Sequence, residues 1–132
     1  MSSETLHEDP GKLGPKVINN HRAIVSLMEE FEAVDWYDQR AKATDDAQLR
    51  AIMEHNRDEE KEHAMMVLEW LRRNDPKLDE HMKTYLFTTQ PITEVEKEAT
   101  QGGGSESAGE AAAGDTASDG SLGIGSLRKV TK

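Results

Sequence analysis

The feature that most constrains this chain is a seam of residues spaced alternately four and three apart, with polar residues at its centre. The seam consists of Leu49, Met53, Asn56, Glu60, His63, Val67 and Trp70. This spacing places the residues on one face of a helix, the face that packs against a neighbouring helix. A buried carboxylate on that face is costly unless it is paired or neutralised. The pattern therefore predicts a packed helix in which Glu60 and His63 have a role besides packing.

A second seam lies closer to the N-terminus and also has a carboxylate in its middle. It consists of Ala23, Leu27, Glu30, Val34 and Tyr37. Glu60 and His63 form an E-x-x-H element, which places a carboxylate and an imidazole one turn apart on the same face. One such helix and one helix with a further Glu supply half of the ligands of a carboxylate-bridged di-iron site. The sequence therefore predicts that two chains dimerise and share this site.

The composition narrows the kinds of metal that such a site can hold. The chain has no cysteine, so disulfides and thiolate metal sites are excluded. Carboxylate and imidazole ligands suit iron or manganese better than metals that seek thiolates. Without a metal, Glu60 and His63 would form a buried hydrogen-bonded pair, or polar residues that only fix the register of packed helices.

Four further residues near Glu30 have two interpretations each. Tyr37, two turns later, is predicted either to hydrogen-bond a ligand carboxylate or to be an ordinary core tyrosine. Glu29, Glu32 and Trp36 lie off the seam but near the same level of the helix. They are predicted either to form an outer uptake site for incoming Fe(II) or to be a plain solvated face.

The charge of the chain excludes several classes of partner. Its formal net charge is -10, which repels nucleic acid and anionic membranes and attracts cations. No apolar run approaches the roughly 18 residues that a membrane span requires. No signal peptide is visible. We therefore expect no nucleic-acid or membrane partner and a cytoplasmic location.

Turn and helix signals predict an all-α fold built on an antiparallel two-helix hairpin. Pro15 suits the first turn of the first helix. Asp45 and Gln48 resemble a capping box that starts the second helix, and Pro76 ends it. A short third helix follows. The predicted parts are a flexible N-terminal arm at 1–14, a helical domain at 15–100, a flexible acidic linker at 101–120 and a terminal segment at 121–132.

The terminal segment brings back aliphatic residues after a stretch that has no large apolar residue. Residues 102–120 are Gly, Ala, Ser, Thr, Asp and Glu only, a composition typical of a disordered tether. Leu122, Ile124 and Leu127 follow, and residues 128–132 are basic. The segment is either an apolar docking peptide on a tether or a disordered terminus with chance aliphatics.

Four stretches of the chain resemble the encapsulated ferritins. They are residues 21–26, 29–40 (E-E-F-E-A-V-D-W-Y-D-Q-R), 56–64 and 68–75. The terminal segment 121–127 resembles the peptide that loads such proteins into an encapsulin shell. The resemblance implies that the hairpin dimerises into a ferritin-like four-helix bundle and that the dimers form a decameric ring. It also implies a ferroxidase that oxidises Fe(II) to Fe(III), with the mineral stored inside the encapsulin nanocompartment.

The resemblance also assigns roles to individual residues. It places the iron ligands on Glu30, Glu60 and His63, with Tyr37 nearby. The uptake site of the family falls on Glu29, Glu32 and Trp36, and its cargo-loading peptide falls on Leu122, Gly123, Ile124, Gly125, Ser126 and Leu127.

Two alternative functions use the same residues. A rubrerythrin-like peroxide reductase would share the bundle and the ligands, but it needs an electron donor, and a chain without cysteine has no rubredoxin centre. A non-catalytic metal-binding or scaffold cargo bundle would bind metal without turnover, or would use the polar seam only for register.

Overall fold

The computed structural model describes residues 5–102, and the regular structure of this part is helical throughout. α1 spans Pro10–Ala43, α2 spans Ala47–Arg73, α3 spans Pro76–Tyr85 and α4 spans Ile92–Gln101. α1 and α2 pack against each other as a hairpin. The prediction of an all-α fold with a two-helix hairpin and a short third helix is confirmed. The predicted disordered tail, with the terminal segment, lies outside the described residues.

The chain divides between Met82 and Lys83 into two units. The first unit holds the hairpin, in which Ala41, Ala64 and Leu71 are buried. The second unit holds α4, where Val95 is buried. Among the described helices, none combines the length and the apolar character needed to cross a membrane.

α1 is interrupted at Gly14, directly before the proline where the sequence predicts its start. Gly14 has φ +80° and ψ 163°, a conformation that residues with a Cβ rarely adopt. Pro15 then opens the uninterrupted part of the helix. A short helical stretch from Pro10 precedes the break, and the Asp9 carboxylate caps it by accepting a hydrogen bond from the Gly11 N–H at 2.9 Å.

α2 is capped one residue later than the sequence predicts. Asp46 is the N-cap, and its carboxylate accepts a hydrogen bond from the Leu49 N–H at 3.0 Å. The N–H of Asp46 itself donates to the Thr44 hydroxyl at 3.2 Å. The prediction of Asp45 as the cap was wrong, because the turn that Thr44 closes brings the carboxylate of Asp46 to the open N–H groups of α2.

The side chain of Arg50 ties the end of α1 to the start of α2. Its Nε donates to the Ala41 carbonyl at 3.1 Å, and its Nη2 donates to the Thr44 carbonyl at 2.6 Å. The last carbonyls of a helix have no partner inside the helix. A cation beside them also interacts favourably with the negative end of the helix dipole. Arg50 therefore holds the turn of the hairpin in one geometry.

Replacing Arg50 with Met is expected to lower the free energy of unfolding by about 1–2 kcal/mol, because two carbonyls lose a charged donor. Urea unfolding followed by far-ultraviolet circular dichroism, at one fixed protein concentration, measures the change. Lys42→Met is the matched control, since Lys42 is an exposed cation in the last turn of α1. Equal destabilisation in the two variants would show that the Arg50 hydrogen bonds contribute nothing specific.

Candidate metal centre

The hairpin brings Glu30 of α1 together with Glu60 and His63 of α2. One potential ligand atom of each side chain lies within 4.8 Å of the others. The Nδ1 of His63 is 3.1 Å from Glu60 Oε2 and 3.8 Å from Glu30 Oε2. Within residues 5–102, this is the one group of three or more His, Asp and Glu side chains close enough to hold a metal ion together.

Helical spacing and the register of the hairpin together produce this cluster. Glu60 and His63 are three residues apart on α2, so their side chains lie on neighbouring turns of one face. Arg57 of α2 binds Asp38 of α1 at 2.8 Å, at a point between the hairpin turn and the cluster. The turn and this ion pair join the two helices in the register that sets Glu30 beside Glu60.

The two carboxylates lie too close for both to be charged at low cost without a cation. The pKa of Glu30 is raised, first by its hydrogen bond with Glu60 and then by desolvation and the charge of Glu60. The pKa of Glu60 is lowered, chiefly by the same hydrogen bond. The pKa of His63 is raised, first by its hydrogen bond with Glu60. Binding of a cation at this place would therefore compete with protonation of Glu30.

The cluster is partly open in a single chain. The side chains of Glu30 and Glu60 are 27% and 23% exposed, and that of His63 is 47% exposed. A di-iron site of a helical bundle uses two E-x-x-H elements and two further Glu residues. One hairpin therefore offers half of that ligand set on an accessible face.

The other predicted site residues of α1 lie outside the cluster. Glu29, Glu32 and Trp36 are exposed. The negative charge of Glu29 is one of the smaller causes that raise the pKa of Glu30. Tyr37 is half-buried, and its hydroxyl makes no hydrogen bond with a carboxylate of residues 5–102. The roles of these four residues stay predictions. The predicted cargo-loading residues 122–127 lie outside the described residues.

Reasoning from the sequence missed a contact of two predicted site residues, Trp36 and Tyr37, with Arg40. Its Cζ lies 5.8 Å from the ring centroid of Trp36 and 5.7 Å from that of Tyr37. Both distances are within the range of a cation–π contact. The signal was present in the sequence, because Arg40 follows the two aromatic residues by four and three positions, a spacing at which side chains meet on a helix.

Curated proteins with similar sequences carry names that agree with the resemblance. An encapsulated ferritin-like protein of Rhodospirillum rubrum is 62% identical over 129 residues, which are 97% of this chain and 91% of the relative. A ferritin-like protein of Thermotoga maritima is 54% identical over 81% of this chain and 92% of the relative. An encapsulin nanocompartment cargo protein of Myxococcus xanthus is 33% identical over 80% of this chain and 81% of the relative.

A solved structure and a family profile agree with these relatives. The crystal structure of a protein from Nitrosomonas europaea is 55% identical in sequence and superposes with a TM-score of 0.64, covering 66% of this chain and 96% of that one. The profile of the EncFtn-like family matches residues 5–89 of this chain. The prediction of an encapsulated ferritin is confirmed, and the chain belongs to the EncFtn-like family.

Proposed function

We propose that this protein is a ferroxidase, which oxidises Fe(II) to Fe(III) at a di-iron site shared by two subunits and delivers the iron for storage as mineral. The observation that carries the proposal is the cluster of Glu30, Glu60 and His63, which the two helices of the hairpin build together. Its carboxylate and imidazole donors fit iron. The ferritin-like names of the relatives support iron as the metal.

Each residue of the cluster has a defined role in this proposal. Glu30 and Glu60 bind iron through carboxylate oxygens, hard donors that stabilise Fe(III) over Fe(II). His63 adds an imidazole nitrogen, and the contact of its Nδ1 with Glu60 orients the ring. Metal binding competes with protonation of Glu30, whose pKa is raised, so binding is favoured as the pH rises. A bound pair of iron ions supplies two electrons to one oxidant, either dioxygen or peroxide.

A second copy of the chain completes the ligand set in this proposal. Two chains related by a two-fold axis supply the four carboxylates and two imidazoles of a di-iron bundle site. Val17, Ile24 and Phe31 support dimerisation, because their spacing of seven places them along one face of α1 and each is about half exposed. An apolar stripe of this kind is typical of an association surface. Pairing of two hairpins gives a ferritin-like four-helix bundle, and five dimers give the decameric ring.

We assign the outer face of α1 to the uptake of Fe(II). Glu29, Glu32 and Trp36 are exposed on the turns beside Glu30. Two accessible carboxylates in a chain of net charge -10 attract a divalent cation and hand it to the neighbouring cluster. Tyr37, half-buried on the seam of α1, is assigned to support a ligand carboxylate in the assembled site.

The proposed partner is an encapsulin shell in the cytoplasm. The relatives from Rhodospirillum rubrum and Myxococcus xanthus are named as an encapsulated protein and as a nanocompartment cargo protein. A short apolar peptide at residues 122–127, on a tether without large apolar residues, supplies the docking segment. Several copies on one oligomer raise the overall affinity by multivalency.

Glu60→Gln and His63→Ala are each expected to lower the initial rate of Fe(II) oxidation by at least about tenfold to a hundredfold, the loss that even outer partners of metal ligands produce. The measurement is the rise of Fe(III)-oxo absorbance after anaerobic loading and admission of air. Glu59→Gln and His55→Ala are matched controls, because these residues form an exposed pair on the same helix, 3.2 Å apart. Full activity in both ligand variants would refute the assignment, and iron binding without oxygen consumption in the wild type would favour the non-catalytic bundle.

A shared site predicts a stoichiometry of one di-iron centre per two chains, with growth of the oligomer when metal is added. Native mass spectrometry during anaerobic Fe(II) titration measures both quantities. Glu60→Gln is the control, because it keeps the apolar faces and removes a ligand from each chain. Iron bound to isolated single chains, with an unchanged oligomer, would contradict the shared site.

Deleting residues 121–132 is expected to leave the oxidation rate unchanged and to abolish co-purification with a co-expressed shell protein, since the metal ligands and the docking segment are separate parts of the chain. Deleting only residues 128–132 is the matched control, which removes the basic end and keeps residues 122–127. Loading of the longer deletion at the level of the full chain would overturn the docking assignment.

A further inference from the structure

One guanidinium bridges two aromatic rings in the last third of α1. The Cζ of Arg40 lies 5.8 Å from the ring centroid of Trp36 and 5.7 Å from that of Tyr37. The two aromatic residues are adjacent in sequence, so their side chains leave the helix in different directions. Arg40, one turn later, contacts both because it follows them by four and three residues. The three side chains therefore form one group, the Arg40 clamp.

The rings hold this guanidinium, since no carboxylate pairs with it. Within residues 5–102, Arg40 forms no ion pair, although Arg57 and Arg72 each bind two carboxylates. The chain has 26 acidic residues, so carboxylates are abundant around its cations. Arg40 nevertheless lies against two aromatic rings, a position that an arginine takes because its planar group stacks well on aromatic faces.

The two rings belong to different parts of the proposed iron path. Trp36 is 48% exposed and follows Glu32 by four residues and Glu29 by seven, so it continues the face of the outer carboxylates. Tyr37 is half-buried and follows Glu30 by seven residues, so it continues the seam of the metal ligands. Arg40 thus contacts one aromatic residue on the face of the outer carboxylates and one on the seam of the metal ligands.

We propose that Arg40 is a positioning residue, which holds the rings of Trp36 and Tyr37 in one arrangement. The inference rests on the proposed function, since it assigns Arg40 to the capture of Fe(II) on its way to the cluster. Trp36 is exposed and follows Glu32 by one turn, so a ring that moves freely disturbs the place where Fe(II) is taken up. Tyr37 is half-buried on the seam of α1 and is also held by packing there. Loss of the clamp therefore weakens Fe(II) capture and leaves the oxidation step itself unchanged.

The first test measures the ring of Trp36 in the metal-free protein. The chain has two tryptophans, so Trp70→Phe leaves Trp36 as the single emitter. In that background, Arg40→Gln is expected to lower the fluorescence anisotropy and to raise acrylamide quenching about two- to fivefold, the population change that a lost exposed cation–π contact produces. Arg40→Lys, which keeps the charge, is expected to recover part of the effect. Lys42→Gln makes the same change of charge in the same turn and is expected to change neither signal.

The second test separates the KM for Fe(II) from kcat in aerobic oxidation. Arg40→Gln is expected to raise KM about two- to fivefold with kcat unchanged, because only ring positioning is lost. If the anisotropy and quenching of Arg40→Gln equal those of Lys42→Gln, the clamp is overturned. If Arg40→Gln leaves the KM for Fe(II) unchanged, the role of the clamp in Fe(II) capture is overturned. Glu60→Gln, measured in parallel, reports on the proposed function separately: if it oxidises Fe(II) normally, the ferroxidase assignment fails, whereas the fluorescence result on Arg40 does not depend on iron.

Discussion

The close approach of Glu30 and Glu60 across the hairpin is the contact on which the rest of this structure depends. Two carboxylates at the centre of a helical seam repel each other and lose hydration, so a proton or a cation has to lie between them. In the single chain the pKa of Glu30 is raised, chiefly by its hydrogen bond with Glu60, and the imidazole of His63 lies beside both carboxylates. In the proposed site a divalent cation fills this role better, because it neutralises both carboxylates and accepts all three donors. The cost of the polar centre would then be what gives the seam its affinity for metal.

In the proposed function, the same seam links metal binding to assembly. Few side chains of the hairpin are buried, namely Ala41, Ala64 and Leu71, while Val17, Ile24 and Phe31 stay about half exposed. A folded unit of this size gains little stability from its own core, and association is a common remedy. In the proposed dimer, the partner that covers the apolar stripe also supplies the missing ligands. Stability of the bundle and completion of the metal site then have a common physical cause.

Arginines connect the parts of this acidic chain. Arg50 binds the carbonyls at the end of α1, and Arg57 joins α2 to Asp38 of α1. The Arg50 contacts lie at the turn, and the Arg57 contact lies between the turn and the cluster. Together they set the register of the two helices. Arg40 differs, because it packs on the rings of Trp36 and Tyr37. The planar guanidinium makes several directed contacts at once, which a lysine ammonium does not.

The sequence alone determined the helical class, the two seams and the pairing of Glu60 with His63, because residues at a spacing of three or four share a helix face whatever surrounds them. That Glu30 joins them was a prediction from its matching position on the other seam. The tertiary structure decided what depends on distances between segments: the register that sets Glu30 beside Glu60, the cap at Asp46, the Arg50 contacts across the turn and the two rings that hold Arg40. Local periodicity carries no information about which of several neighbouring polar groups comes within hydrogen-bonding distance of a partner. That choice is made only when the backbones of two helices and their turn are packed together.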